Sequence, residues 1–377
     1  ILINMEKKSH IRLGCIGGGL NSAAGNLHFT AIRLEGSFKI VSGCFSRNLK
    51  INLETGKKLG ISKPNIYSSW KDLILKQKKN IDAVLILAPS SAHYEMIKFA
   101  QGQNVPIISE KPLVTDLTQI KKLMKFEKKN FIATIFNYTG YPMIREMKFL
   151  IKKNKIGNIK SFQIEMPQQS FVIKKHFKSK FLTIQNWRLK YNSIPMICLD
   201  LGVHLDNLIF FLTGFYPKEV LSNFSKNSKL NVFDDVNMIL KYKSFSGSMW
   251  FSKTSFGHDN GLTIRIFGDK GSLEWKQTDS ENLIFNSFKN EKIILSRGTK
   301  CFEANKLRYN RFKAGHPAGF LEALANYYTD ISQSYINYKK RKNHKTNFTF
   351  STKDSFKSIK LFYMAYQSHL KKKWIKL

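Results

Sequence analysis

Apolar and polar positions follow two different rhythms along this chain. Up to about residue 137, short apolar runs at residues 11–16, 38–45, 81–87, 106–109 and 131–136 have little polar interruption. Such runs mark strands covered on both faces. Between them lie stretches of helical spacing at residues 26–34, 49–59, 93–102 and 117–128. Gly60 stands where a helix C-cap belongs, residues 66–67 suit a short strand, and Ser69 can cap a helix through Leu75. Repeated strand–helix–strand units of this length predict a doubly wound parallel sheet. After residue 137 the rhythm changes. A helix is expected at residues 142–153 and another at 196–213. Strands are expected at 159–166, 232–242, 246–254, 262–268, 271–277 and 283–286. Turns such as Gly268-Asp269-Lys270-Gly271 favour a mostly antiparallel sheet. Helices at 317–335 and 352–371 close the chain. The expected fold class is α/β in two domains, residues 1–137 and 138–377. A length of 377 residues agrees with two domains of roughly 150 residues each.

Composition narrows the class. An apolar fraction of 42 % suits a folded chain with a sizeable core. No stretch reaches the roughly 18 apolar residues that a membrane-spanning helix needs. The N-terminal lysines are not followed by a secretory-signal pattern, so a cytoplasmic protein without a membrane partner is expected. Cys15, Cys44, Cys198 and Cys301 are scattered, form no metal-ligand cluster with histidine, and read as reduced thiols. No metal is expected. The net charge of +36 is extreme. Its lysines are spread along the chain rather than concentrated as arginines on one reading element, so a specific nucleic-acid partner is not expected.

Strand, glycines, helix is the context of a dinucleotide turn: the glycines let the backbone approach a pyrophosphate, and the helix N-terminus faces its charge. Here the turn reads Gly17-Gly18-Gly19-Leu20-Asn21-Ser22-Ala23-Ala24-Gly25, with Ser22 where the third glycine of the usual spacing would fall. The second strand is followed by Ser46-Arg47-Asn48, without the carboxylate that would bind the ribose of NAD. A hydroxyl and an arginine can hold a 2′-phosphate instead. This favours NADP over NAD and leaves open an Arg47 that stacks on adenine or points to solvent.

Two further elements carry candidate chemistry. Glu110-Lys111-Pro112 places a lysine just past a strand's carboxyl end, the edge at which such sheets bind ligands. A cis bond before Pro112 would turn Lys111 inward. Asp200 and His204 stand four apart in an expected helix and so share a face. A carboxylate beside an imidazole can orient it and raise its basicity, which suits removal of a hydroxyl proton. Each element taken alone also has a structural reading.

Together, Gly17–Gly19, Ala88-Pro89 with His93, Glu110-Lys111-Pro112 and Asp200-x-Gly202-x-His204 resemble the glucose–fructose oxidoreductase/inositol dehydrogenase (Gfo/Idh/MocA) family. Asn137 to Pro142, Trp187-Arg188, Phe233-Asp234-Asp235, Gly257 to Gly261 and Gly315-His316-Pro317 are similar to its sugar dehydrogenase subgroup. The resemblance implies a Rossmann domain followed by an α/β domain whose open sheet makes a homo-oligomer contact. It implies an NAD(P)-dependent dehydrogenase or reductase acting on a sugar or cyclitol. The cofactor would lie over Gly17, Gly18, Gly19, Asn21, Ser22, Ser46, Arg47, Pro89, His93, Glu110 and Lys111, with the nicotinamide between the domains. Lys111, Asp200 and His204 would be catalytic. Tyr138, Tyr141, Arg188 and Asp200 would line the substrate, with His258 and His316 as outside candidates. The alternative is a non-catalytic nucleotide-binding sensor of the same fold.

Overall fold

The computed structural model describes residues 10–125, 130–172, 184–190, 193–343, 346 and 348–377. The end of the helix expected at 117–128 lies outside these residues. The chain divides into two compact units: residues 1–114, 118–137 and 320–355 form the first, and residues 115–117, 138–319 and 356–377 the second. Besides the short stretch 115–117, which clusters with the second unit, residues 320–355 lie beyond residue 137 and yet cluster with the first.

The first unit is wound from β1 (Ile11–Gly17), α1 (Ala23–Glu35), β2 (Phe38–Cys44), α2 (Leu49–Lys58), α3 (Trp70–Gln77), β3 (Ala83–Leu87), α4 (His93–Gly102), β4 (Ile107–Glu110), α5 (Leu117–Met124) and β5 (Ile132–Ile135). Leu117, the first residue of α5, clusters with the second unit. The five strands are parallel in the order β2-β1-β3-β4-β5. Every residue of β3 and β5 is buried, which is why their sequences are unbroken apolar runs. The run at 66–67 becomes a single parallel bridge from Ile66 to Gly43. Ser69 caps α3 by accepting from the Asp72 N–H.

The second unit contains α6 (Pro142–Lys152), β6 (Ile159–Pro167), α7 (Val203–Thr213), β7 (Glu219–Ser225), β8 (Asp235–Lys241), β9 (Ser246–Ser252), β10 (Thr263–Gly268), β11 (Gly271–Lys276), β12 (Leu283–Ser287) and β13 (Lys292–Leu295). Its nine-stranded sheet runs β13-β12-β11-β10-β6-β9-β8-β7, with a final short strand β14 (Ile375–Lys376) beside β7. All neighbours are antiparallel except β6 and β9. β7 and β13 carry no period-two apolar pattern, and sequence reasoning did not find them. One face of the sheet is core: Val236, Met238 and Leu240 of β8 are buried while Asn237, Ile239 and Lys241 between them face outward.

Two helices follow in sequence, α8 (Phe320–Lys339) and α9 (Thr352–Lys371). α8 starts three residues later than its apolar pattern suggests and runs through Tyr338, at the edge of the lysine-rich stretch. It packs on α1 in the first unit. Tyr327 of α8 donates to the Thr134 carbonyl at 2.6 Å, and the Thr134 N–H donates to Phe350 O at 2.8 Å. These bonds anchor the returning segment along β5. No helix among the described residues is long and apolar enough to cross a membrane.

Candidate active site

The glycine turn joins β1 to α1. Gly17 has φ +85°, and a Cβ there would stand 2.7 Å from the Leu87 carbonyl and the Ala88 N. Only a glycine fits so close to the end of β3. Gly25 supplies the tight helix–strand contact that the usual spacing assigns to the Ser22 position: a Cβ on Gly25 would collide with the Gly18 carbonyl. Ser22 instead caps α1, its Oγ accepting from the Gly25 N–H at 3.2 Å. The departure at Ser22 is thus a division of labour, with a cap at one position and close packing three residues on. The bare backbone at Gly17 to Gly19, a capped helix start and the lack of any acidic side chain in that first turn fit a dinucleotide pyrophosphate.

Beyond β2, Ser46 Oγ accepts from the Asn48 N–H at 3.1 Å, and Asn48 caps α2. Arg47, like Asn21 and Pro89, is exposed. His93 is 1 % exposed. Its Nδ1 lies 2.9 Å from Pro112 O and its Nε2 2.8 Å from Ala88 O. Burial lowers its pKa, against the two carbonyls, which raise it. A neutral ring carries one N–H and so donates to one carbonyl at a time. His93 therefore braces the turn after β3 against the loop after β4, a backbone role.

The peptide bond between Lys111 and Pro112 is cis. Lys111 is half-buried, and its backbone N–H donates to Glu110 Oε2 at 3.1 Å. Glu110 Oε1 lies 2.9 Å from His28 Nε2. Burial pushes the Glu110 carboxyl up. The hydrogen bond from His28, with the neighbouring Lys111 charge, brings it back below the ordinary carboxylate range.

In the second unit, Asp200 and His204 lie on a helix that is not uniformly α. Cys198–Gly202 forms a π turn and leads into α7. Such turns are concentrated at functional sites. Asp200 Oδ2 accepts from Arg188 Nε at 2.9 Å and pairs with Lys253 Nζ at 2.8 Å. Lys253 follows β9 directly and also donates to Gln168 Oε1 at 3.4 Å. It is the only lysine in the core among the described residues. Gln168 Nε2 donates to Asn260 Oδ1 at 3.1 Å. Asn260 Nδ2 donates to the Tyr138 hydroxyl at 3.1 Å and to Gln277 Oε1 at 2.6 Å. Gln277 reaches the Tyr141 hydroxyl at 3.4 Å. His204 packs edge-on against Tyr138, with ring centroids 4.8 Å apart at 86°. Burial, together with the Asp200 charge, pushes the Tyr138 phenol up to about 12 against the Asn260 hydrogen bond, so it stays protonated.

Arg188, Asp200, Tyr138 and Tyr141 thus share one polar network, with His204 against its edge. Gln168, Lys253 and Gln277 were not found by sequence reasoning, and Asn260 only as part of a glycine-flanked motif. Arg188 also lies over the Trp187 ring at 4.4 Å. His258 and His316 are exposed, and His316 contributes only its carbonyl, to Arg297, at 2.6 Å. Asp234 is fully buried and accepts from the Asn227 and Ser228 N–H groups, bracing the loop between β7 and β8. The four cysteines are buried free thiols. No group of metal-ligating side chains occurs among the described residues.

A parallel five-stranded sheet with a glycine turn at the β1–α1 junction defines the NAD-binding Rossmann class. Residues 11–137 match the model of the oxidoreductase family with an NAD-binding Rossmann fold, and residues 144–274 match the Gfo/Idh/MocA C-terminal domain. The chain belongs to the Gfo/Idh/MocA family of oxidoreductases. It is 25 % identical over 345 residues to the uncharacterized oxidoreductase YfiI of Bacillus subtilis, covering 87 % of this chain and 86 % of that one. It is 27 % identical over 237 residues to glucose-6-phosphate 3-dehydrogenase of the same organism, covering 57 % and 65 %. The fold matches the crystal structure of an inositol dehydrogenase homolog complexed with NAD+ from Azotobacter vinelandii over 100 % of both chains, with TM-score 0.91 and 21 % identity.

Proposed function

We propose that this oxidoreductase transfers a hydride between a nicotinamide cofactor and a carbinol or keto carbon of a sugar, sugar derivative or cyclitol. The observation that carries this reading is the partly buried network joining Arg188, Asp200, Lys253, Gln168, Asn260 and Tyr138 beside His204. It offers hydroxyl, amide, carboxylate and cationic groups in one place, which suits a ligand bearing several hydroxyls. The names of relatives, a glucose-6-phosphate 3-dehydrogenase and an inositol dehydrogenase homolog, point the same way.

When bound, the nicotinamide supplies the hydride acceptor or donor. Gly17, Gly18, Gly19, Asn21 and Ser22 would hold the pyrophosphate end, Ser46 and Arg47 the adenosine ribose, and Glu110 and Lys111 the end nearer the chemistry, while Pro89 and His93 would shape the turn between. In oxidation the substrate C–H and O–H bonds both break. His204 would take the hydroxyl proton on an imidazole nitrogen, and Lys111 would stabilise negative charge that develops on oxygen. Asp200, held by Arg188 and Lys253, accepts from a neighbouring hydroxyl and fixes the sugar. Tyr138, protonated at neutral pH, donates to another, and Tyr141 closes the wall. Reduction runs the same steps backward.

Ser46 and Arg47 at a strand end without a carboxylate support NADP as the preferred cofactor. The outward face of the large sheet, with Ile239 49 % exposed, supports a homo-oligomer through that face; sizing by light scattering tests it. The functional reading is tested by titrating the protein with NADH and NADPH, then assaying sugars and inositols with the matching oxidised cofactor. Saturable binding with turnover of a polyol is expected. Failure of both cofactors to bind overturns the reading.

A further inference from the structure

Glu110, His28 and Tyr328 come from β4, α1 and α8, yet they form one line of hydrogen bonds inside the first unit. His28 Nε2 lies 2.9 Å from Glu110 Oε1, and His28 Nδ1 lies 2.7 Å from the Tyr328 hydroxyl. His28 is 2 % exposed and Tyr328 is fully buried. An ionised carboxylate can only accept, so Nε2 carries the proton that bonds Glu110. A neutral imidazole then presents Nδ1 as acceptor, and the tyrosine hydroxyl donates to it. Burial raises the Tyr328 phenol well above its ordinary value, which keeps that donor protonated. With a neutral imidazole, donors and acceptors alternate without conflict along the whole line, and the carboxylate selects the Nε2–H tautomer.

Hydroxyl, imidazole and carboxylate in series are the components of a catalytic triad, but here the accessible end is reversed. The hydroxyl is sealed in the core between α8 and α1. The carboxylate is the group that emerges, its side chain 22 % exposed. Its second oxygen accepts from the Lys111 N–H at 3.1 Å. Whatever fixes this carboxylate also fixes the backbone that carries Lys111.

The geometry points to His28 and Tyr328 as positioning residues that hold the Glu110 carboxylate, and through it the Lys111 backbone, in place for the nicotinamide cofactor. This rests on the dehydrogenase reading above. It gives the returning segment that carries α8 a role in the cofactor site of a unit otherwise built from the first third of the chain.

The test is a set of cofactor titrations, followed by nicotinamide fluorescence, using whichever of NADH or NADPH the wild type binds more tightly. The variants are His28→Gln, Tyr328→Phe, Glu110→Gln and the double variant His28→Gln/Glu110→Gln. A charge-assisted bond lost from the line should weaken binding about tenfold in each of His28→Gln and Glu110→Gln. Tyr328→Phe, which loses a neutral bond, should weaken it about threefold. Because His28 acts through Glu110, adding His28→Gln to Glu110→Gln should cost nothing further. Unchanged binding in His28→Gln, or losses that multiply in the double variant, overturns the proposal. Should His28→Gln not fold, Tyr328→Phe carries the test, with unchanged binding as the overturning result. Ring nitrogen NMR of His28 is the second readout: the Nε2–H tautomer is expected in the wild type, and an Nδ1–H tautomer overturns the relay. Absence of any cofactor binding by the wild type sinks the dehydrogenase reading instead, and the tautomer still decides the relay.

Discussion

The glycine turn of the first unit and the polar network of the second are built in opposite ways. The turn is nearly local: residues from Gly17 to Gly25 make the close approaches, cap the helix and present the backbone, with the end of β3 as their main outside neighbour. The network has no local core. Tyr138, Gln168, Arg188, Asp200, Lys253, Asn260 and Gln277 come from seven places in the chain. A site that binds a phosphate through backbone needs glycines in order, and that leaves a motif. A site that reads a substrate through side chains needs only that the fold bring them together, which leaves none.

The sharpest test of this contrast is at its catalytic edge. Lys111→Ala should lower kcat by roughly 100- to 10,000-fold, the range for a lost acid–base or charge-stabilising group. Cofactor binding, held by the turn, should change far less. Stopped-flow turnover and fluorescence titration separate the two, and wild-type-like turnover would sink the role given to Lys111.

In the second unit, Lys253→Met should destabilise the fold by about 3 kcal/mol, because it strips a partner from the buried Asp200 carboxylate. Arg in place of Lys should recover part of this. Thermal unfolding measures both, and cofactor affinity should stay within twofold of wild type. In the first unit, Gly25→Ala should cost about 2 kcal/mol by overpacking against the Gly18 carbonyl, and here cofactor affinity should fall with stability. A Gly25→Ala protein that unfolds earlier but binds as before would break the proposed link between turn geometry and cofactor.

A smaller effect concerns pH. Burial pushes the Asp206 carboxyl of α7 up to about 6 from 3.8. The folded state then holds a proton that the unfolded chain has released, so this group's contribution is complete below about pH 4 and is lost as pH rises through 6. Asp206→Asn should flatten that part of the stability profile, measured by urea unfolding at several pH values. An unchanged slope would place the titration elsewhere. The smallest expected change is Arg47→Ala, which should weaken NADPH about tenfold and leave NADH nearly untouched. Equal effects on both would remove the 2′-phosphate assignment.

Sequence reasoning and structure part company at identifiable residues. The buried parallel strands were legible because burial on both faces leaves an unbroken apolar run. β7 escaped because Leu221, Ser222 and Asn223 interrupt its burial pattern. Lys253 was invisible for a compositional reason: among 62 lysines and arginines, nothing in its neighbours marks it as buried. Asp200 and His204 were visible as a four-residue spacing. The π turn, and the capture of the carboxylate by Arg188 and Lys253, depend on residues the spacing does not include.

By itself, then, the amino-acid order determined the alternation of strands and helices, the β1–α1 turn and the Lys111 loop, because each is encoded by periodicity or by contiguous residues whose backbone needs are specific. Only the tertiary structure decided that residues 320–355 return to the first unit, that Tyr328 and His28 line up on Glu110, and that one lysine among many is drawn into the core to hold Asp200. Those contacts join positions tens to hundreds of residues apart. Packing selects such partners, and no local preference of the chain announces them.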